Sequence, residues 1–517
     1  MPEEILQKIP KETTPKACKA ADALSTRRIV ARINAASRSA DSQRNFSGAD
    51  YLSADAALNR SVRRLISIRS RNEFVNNSYA YGIIHTLADD TIGTGPRLQL
   101  EPAEEGDLFT TDPKFQRREQ RFHRWTRQIR LNALLRCARI AKALDGETFI
   151  WLQTNPCSGR EVPLEPRLFE AEYVSSRHYQ PEIAHASGHP LEADGISYDR
   201  YGNPISYRFS RFHPGSSGGF AVDEGVQVPA EQIIHYANLV RAGQHRGLSE
   251  MAACLHIFND LRRYSTAVVL AAEVAANLSF IISHDLPPEL YEQTIDHDAE
   301  GRVITALDLQ GGPGEFVHGS NMGLSFPAGY KASQLKAEQP TATYVTFKDA
   351  KIAEAARVFS MPFNIASGNS SDYNYASGRL DHQVYHKKLL IERENIAVEI
   401  LDRILAAWEE YDQVLHPADY RIDSAGHSWM WDGFEHVDPI KEANAQAARL
   451  TNGVTTLAEE CAREGRDYHN VLRQRRREFE ECARLGLPPM PWMAPQQTPS
   501  FAPDSGDDDK KAKRIKE

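Results

Sequence analysis

Apolar positions along this chain recur with helical spacing, then with period two, then with helical spacing again. Residues 1 to about 50 carry no sustained apolar stripe and read as a partly ordered arm. The stretch SADAALNRSVRRLISIRS reads as one helix with Ser53 as its N-cap. A second helix runs from about Asn77 and stops at Gly93. Gly93-Thr94-Gly95-Pro96 breaks the chain, and RLQLEP after it reads as a strand. Asp112-Pro113 opens a helix that places Phe115, Phe122, Trp125 and Ile129 on one face. Between Gly146 and about Tyr236 the period changes to two, and GETFIWLQ, PRLFEAEYV and PISYRFSRF read as strands.

After Gly247 the chain turns helical again, through MAACLHIFNDLRRYSTAVVLAAEVAANLSFII. A short, mixed stretch rich in Gly and Pro follows, and then a helix from about Ala342 to Phe359. The polar segment SMPFNIASGNSSDYNY at 360–375 reads as a loop. It leads into a long helix, ASGRLDHQVYHKKLLIERENIAVEILDRILAAWEEY, that reaches about 50 Å at ~1.5 Å per residue. Three shorter helices follow, stopping at Gly453, Gly465 and Gly486, and Thr456 with Glu459 has capping-box spacing. The tail beyond Pro488 has the composition of a disordered segment.

Composition narrows the class. A chain of 517 residues exceeds one ordinary core. The formal net charge of -9 argues against tight holding of nucleic acid through phosphates. The six cysteines form no Cys-x-x-Cys pair and read as scattered thiols. The apolar stretch 267–282 carries Glu273 and Asn277 and reads as a helix buried against protein, so no membrane partner is expected.

Candidate chemistry is sparse. There is no Gly-x-x-x-x-Gly-Lys-Ser/Thr phosphate loop, no Gly-x-Gly-x-x-Gly and no His-Glu-x-x-His. Gly215-Ser216-Ser217-Gly218-Gly219 fits the nucleophile-elbow pattern in letters, but His213-Pro214 before it and a non-helical stretch after it are the wrong setting for a strained serine. His382 and His386 stand four apart on a helix, yet two histidines do not complete a zinc site. No catalytic residue, metal or cofactor is therefore expected. Arg117, Arg118, Arg121, Arg124 and Arg127 on the Phe115 helix read as a solvated face or a subunit interface ahead of a DNA-contacting stripe.

Several strings, in order, carry a resemblance. They are Arg71-Asn72-Glu73-Phe74-Val75-Asn76-Asn77-Ser78-Tyr79-Ala80 leading to Gly93-Thr94-Gly95; Arg241-Ala242-Gly243-Gln244-His245-Arg246-Gly247; Asp372-Tyr373-Asn374-Tyr375-Ala376-Ser377-Gly378-Arg379; and Trp431 with Val437-Asp438-Pro439, followed by Gly453 and Glu459 to Asp467. Together they resemble the lambda-like family of tailed-phage portal proteins over about 50–486. One departure is Ser367-Gly368-Asn369-Ser370-Ser371-Asp372, where relatives more often carry an aromatic residue.

The resemblance implies an α+β portal fold: an arm (1–50), a β-rich wing (51–260), a stem helix (261–283), a clip (284–341), a second stem helix (342–359), a tunnel loop (360–375), a long helix with a return to the wing (376–435), a helical crown (436–486) and a tail (487–517). It implies a homo-oligomeric ring of about twelve copies at one capsid vertex of the virion, assembled in the cytoplasm of a host bacterium. Double-stranded DNA would pass through the ring. Its other partners would be the large terminase, head–tail adaptor proteins and capsid or scaffold proteins. The residues expected to border the DNA are Asn364, Ser367, Gly368, Asn369, Ser370, Ser371, Asp372 and Asn374. The competing readings are a serine hydrolase built on Ser217, a nuclease using Asp and His residues, and another ring-forming connector.

Overall fold

The computed structural model describes residues 49, 51–102, 113–176, 188, 190–216, 225–277, 281–284, 296–297, 303–304, 330–333, 343–371, 375–420, 424–434 and 439–487. Chain order begins with α1 (Ala54–Ala57), α2 (Arg60–Asn76), α3 (Ser78–Ile92), β1 (Arg97–Pro102), α4 (Pro113–Gln128) and α5 (Leu131–Asp145). Strands follow: β2 (Glu147–Thr154), β3 (Leu164–Glu170), β4 (Glu192–Ala193), β5 (Ile196–Tyr198), β6 (Pro204–Phe209), β7 (Val226–Pro229) and β8 (Ile233–Ala237). Then come α6 (Leu255–Asn277), the short strands β9 (Ile281–His284), β10 (Asp296–His297), β11 (Val303–Ile304) and β12 (Tyr330–Ser333), α7 (Thr343–Val358) and α8 (Phe363–Ser367). The chain closes with α9 (Tyr375–Ile396), α10 (Asp402–Leu415), β13 (Ser424–Met430), α11 (Pro439–Thr451), α12 (Leu457–Arg463) and α13 (Tyr468–Leu485). This is the expected α+β architecture, with a β-rich block between helical ones.

Caps explain most boundaries. Ser53 accepts from the Ala56 N–H at 3.2 Å. The helix it opens is not continuous, which corrects the single helix read from SADAALNRSVRRLISIRS. It stops at Leu58, because Asn59 accepts from Ser61 and Val62 N–H at 3.1 Å and starts α2 afresh. Asn77 ends α2 and caps α3, accepting from Tyr79 N–H at 3.0 Å. The capping box at Thr456 and Glu459 is present.

Two further boundaries differ from expectation. The helix expected to run to 283 ends at Asn277, and Ile281–His284 pairs antiparallel with Tyr330–Ser333. β-branched Ile281 and Ile282 suit a strand once a partner strand supplies the backbone hydrogen bonds. The long helix from Tyr375 reaches Leu415, but through a π-helical turn at Ala397–Leu401. At ~1.5 Å per residue it spans roughly 60 Å.

Three cores organise the elements. Ile83, Ile84 and Leu87 of α3 pack with Phe258 and Leu261 of α6, Ile352 and Ala355 of α7, and Tyr385 and Leu389 of α9. Phe122 and Trp125 of α4 meet Leu135 of α5, Ile150 of β2 and Ile404 and Trp408 of α10. The third core lies between the sheet β3-β2-β8 and the sheet β4-β5-β6-β7, around Phe149, Ile196, Tyr207, Phe209 and Val228. No helix among the described residues is long and apolar enough to cross a membrane.

Candidate functional site

Within the segment 360–375, residues 360–371 are more structured than a loop. α7 ends in a Schellman arrangement: Met361 N–H donates to Ala356 O at 3.1 Å and Ser360 N–H to Arg357 O at 3.1 Å. Ser360 therefore takes a left-handed φ of 52°. Phe359 and Met361 are buried in the first core, so the exit from α7 is pinned on both sides of Ser360. The chain then makes the short helix α8, whose Ala366 is buried. Gly368 at φ 66° ends it, with Asn369 N–H donating to Asn364 O at 3.1 Å.

The tip beyond Gly368 is held by its own side chains. Asn369 Oδ1 accepts from Ser371 N–H at 3.0 Å and Ser371 Oγ at 2.6 Å. Gly368, Asn369, Ser370 and Ser371 are exposed, while Ser367 is half-buried. Asn364 is also half-buried and donates to Ser370 Oγ at 3.4 Å and His382 Nε2 at 3.3 Å. Asp372 and Asn374 lie outside the described residues. The structure thus divides the expected set: Asn364 and Ser367 belong to α8, and Gly368–Ser371 form the exposed tip. No residue of 360–375 is Lys or Arg.

Two of the family-like strings, around Gly93 and Arg246-Gly247, form structural joints. Arg246 donates from Nε to Glu147 at 2.8 Å and from its terminal nitrogens to Val174 O and Ala171 O, each at 3.1 Å. Glu147 also faces Arg63 at 3.1 Å and His235 at 2.8 Å. Burial alone would raise the Glu147 carboxyl, but the Arg246 and Arg63 charges and the His235 hydrogen bond hold it well below the usual carboxylate range. A Cβ on Gly247 would collide with the Gly146 carbonyl, so this crossing admits only glycine. Asp432 similarly accepts from Thr94 Oγ1 at 2.8 Å and Arg97 at 2.9 Å, and a Cβ on Gly93 would meet its carboxylate. Arg393 lies over Trp431 and Phe434 and donates to Thr91 O at 2.8 Å and Asp432 O at 2.8 Å.

The arginines of α4 divide, which corrects the expectation of one solvated or interfacial face. Arg121 reaches Asp412 at 2.7 Å and Asp419 at 2.8 Å; Arg117 reaches Asp419 at 2.6 Å. Arg118 is buried, pairs with Glu409 at 2.5 Å and lies over the Tyr420 ring. Arg124 and Arg127 are exposed. Sequence spacing could not show acidic partners some 300 residues away.

Metal and nucleophile candidates gain no support. Among the described residues, the group with metal-ligand spacing is Glu170, Glu172 and His213, not His382 and His386. Arg71 already sits among those carboxylates, 2.8 Å from Glu172 and 3.7 Å from Glu170, where a cation would be repelled. His386 stacks on Phe434 at 4.0 Å. Ser217 lies outside the described residues; just before it, Ser216 N–H closes a turn on His213 O at 2.9 Å. The five described cysteines are free thiols.

Comparison with known proteins supplies the family. The profile described as phage portal protein, lambda family, matches residues 42–392, well over half of the chain. The probable portal protein of Halomonas phage phiHAP-1 is 22% identical over 444 residues, covering 81% of each chain. Portal protein B of Escherichia phage lambda is 22% identical over 162 residues, 29% of this chain and 30% of that one. Among solved structures, the neck of an empty GTA particle computed with C6 symmetry aligns with 16% identity and a TM-score of 0.43, covering 81% of this chain and 93% of the other. An HK97 family portal protein from Corynebacterium diphtheriae aligns with 12% identity and a TM-score of 0.25, covering 75% and 97%. On the breadth of the family match, this chain belongs to the lambda family of phage portal proteins.

Proposed function

We propose that this portal protein closes into a ring at one capsid vertex and forms the channel through which double-stranded DNA is packaged and later leaves. Residues 284–341 are the docking surface for the large terminase and then for neck proteins. The segment 360–375 borders the DNA, and the chain has no catalytic activity of its own. The observation that carries this reading is the exposed tip Gly368–Ser371, framed by α7 and α9 and free of basic residues throughout its segment. Short hydroxyl and amide side chains touch phosphates without holding them, so a duplex slides past. α7 and α9 are anchored in the first core, which gives the tip a rigid base.

Deleting residues 366–372 tests the channel assignment. Rings should still assemble, since Phe359, Met361 and Tyr385 remain in place, while packaged DNA per particle falls. Full-length packaging at the normal rate by the shortened chain would overturn the assignment.

A further inference from the structure

Eight arginines run from Arg117 to Arg139, with Glu119 the one acid among them. Five of the eight meet carboxylates elsewhere in the chain: Arg117, Arg118 and Arg121 as above, Arg136 with Asp89 at 3.1 Å and Arg139 with Glu250 at 2.9 Å. Arg124, Arg127 and Arg130 are exposed and meet none among the described residues. They recur every third residue, so they form one row along α4 and the turn after it. Arg130 holds a left-handed φ of 54°, where glycine would be easier, yet its side chain is exposed and caps nothing.

The row stands beside a cleft of about 660 Å3 between α4, β1 and β13 on one side and α13 on the other. His123 lines the cleft; partial desolvation, then the charges of Arg127 and Arg97, push its imidazole below the ordinary value. Four more arginines line it: Arg97 from β1, and Arg466, Arg473 and Arg475 from α13 and the turn before it. The carboxylates of the lining are already engaged. Glu119 accepts from Leu100 N–H at 2.8 Å, Asp467 from His469 N–H at 2.8 Å and Glu478 from Gln474 at 2.9 Å. With Asp432 on Arg97 and Glu464 on Arg466 also counted, seven arginines of cleft and row face five carboxylates, on a chain whose net charge is -9. The remaining polar lining is amide, with Gln116, Gln120, Asn470 and Gln474 prominent. Arginine and amide side chains together are the groups that contact phosphate and sugar along a nucleic-acid backbone.

We infer that this cleft and the Arg124–Arg127–Arg130 row bind the phosphate backbone of double-stranded DNA. The surface belongs to the second core, away from the 360–375 segment on the first, and its character is opposite. The tip has no basic residue and lets a duplex slide; the cleft has unmatched charge and holds one. The portal reading enters only in choosing DNA as the polyanion.

The test uses a fluorescent, covalently closed double-stranded circle, which has no end to thread through a ring. Its binding to the full-length parent is followed by anisotropy across a salt series. The parent should bind at low salt and release the circle as salt rises. Changing Arg124, Arg127 and Arg130 together to Gln should make the log–log salt slope shallower by about 2.7 if each arginine meets one phosphate. Changing the same three to Lys should keep the parent's slope, because a phosphate contact needs the charge and not the guanidinium shape. Arg473→Gln with Arg475→Gln, on the opposite wall, should also make it shallower. A parent that never binds the circle, or a triple Gln variant with the parent's slope, would overturn the inference. A triple Gln variant that no longer forms rings would assign the row to a contact between copies and overturn it too. None of these results decides the channel reading, which packaging by the chain shortened at 366–372 tests separately.

Discussion

Ser360 and Gly368 hold the same left-handed backbone, at φ 52° and φ 66°, at the ends of successive helices. A residue with a Cβ costs roughly 1–2 kcal/mol in that region, and glycine does not. Ser360→Gly should therefore raise stability by about 1 kcal/mol, and Gly368→Ala should lower it by about the same amount. No atom crowds the Gly368 position, so backbone conformation is the whole effect there. Thermal melts of the two variants check both signs. In the sequence Gly368 stood only as one residue of the polar 360–375 segment; in the structure it is the C-cap of α8. Ser360 was not legible either, because serine marks no particular turn until the Met361 side chain is seen locking the exit from α7. The fate of Arg117, Arg118 and Arg121 was equally hidden, since Glu409, Asp412 and Asp419 approach only through the packing of α10 on α4.

Glu392 joins three elements: α9 carries it, Lys142 of α5 approaches at 2.8 Å, and Tyr236 of β8 donates to it. Burial alone would raise its carboxyl, but the charges of Arg139 and Lys142 bring it down to about 2. A depressed carboxyl stabilises the fold above its unfolded value, about 4.3, and that contribution disappears as pH falls through about 2. The shift corresponds to on the order of 3 kcal/mol. The parent chain should lose melting temperature steeply between pH 4.5 and 2.5, and Glu392→Gln should start lower at neutral pH and fall less. Parallel slopes for the two proteins would remove Glu392 from the account. The helices α3 and α12 were legible because caps and periodicity agreed, and β2, β6 and α7 through periodicity alone. The end of α6 was misread because apolar residues continue past Asn277, and only the pairing of Ile281–His284 with Tyr330–Ser333 distinguishes strand from helix. The break at Leu58 was missed because Asn59 in an apolar-periodic run gives no signal until its side chain turns back to cap α2.

At the scale of the whole molecule, the family was legible through strings of which two, around Gly93 and Arg246-Gly247, hold segments together in the structure. Arg246 and Gly247 meet Glu147 and Gly146, and Gly93-Thr94 meets Asp432, so strings far apart in sequence mark crossings of one fold. The net charge of -9 and the absence of basic residues from 360–375 belong to the channel reading. Adding charge there should reverse the behaviour: Asn369→Lys with Asp372→Lys should slow DNA translocation and make it salt-sensitive, measured as packaging rate across a salt series. A rate unchanged at every salt concentration would place the segment away from the DNA. The most direct test of the central claim is single-particle imaging of the purified full-length chain. The account predicts closed rings of cyclic symmetry with an open central channel and the 368–371 tip on its wall. Particles that remain monomers or dimers at micromolar concentration across a range of salt, or rings with that tip on the outer rim, would contradict it.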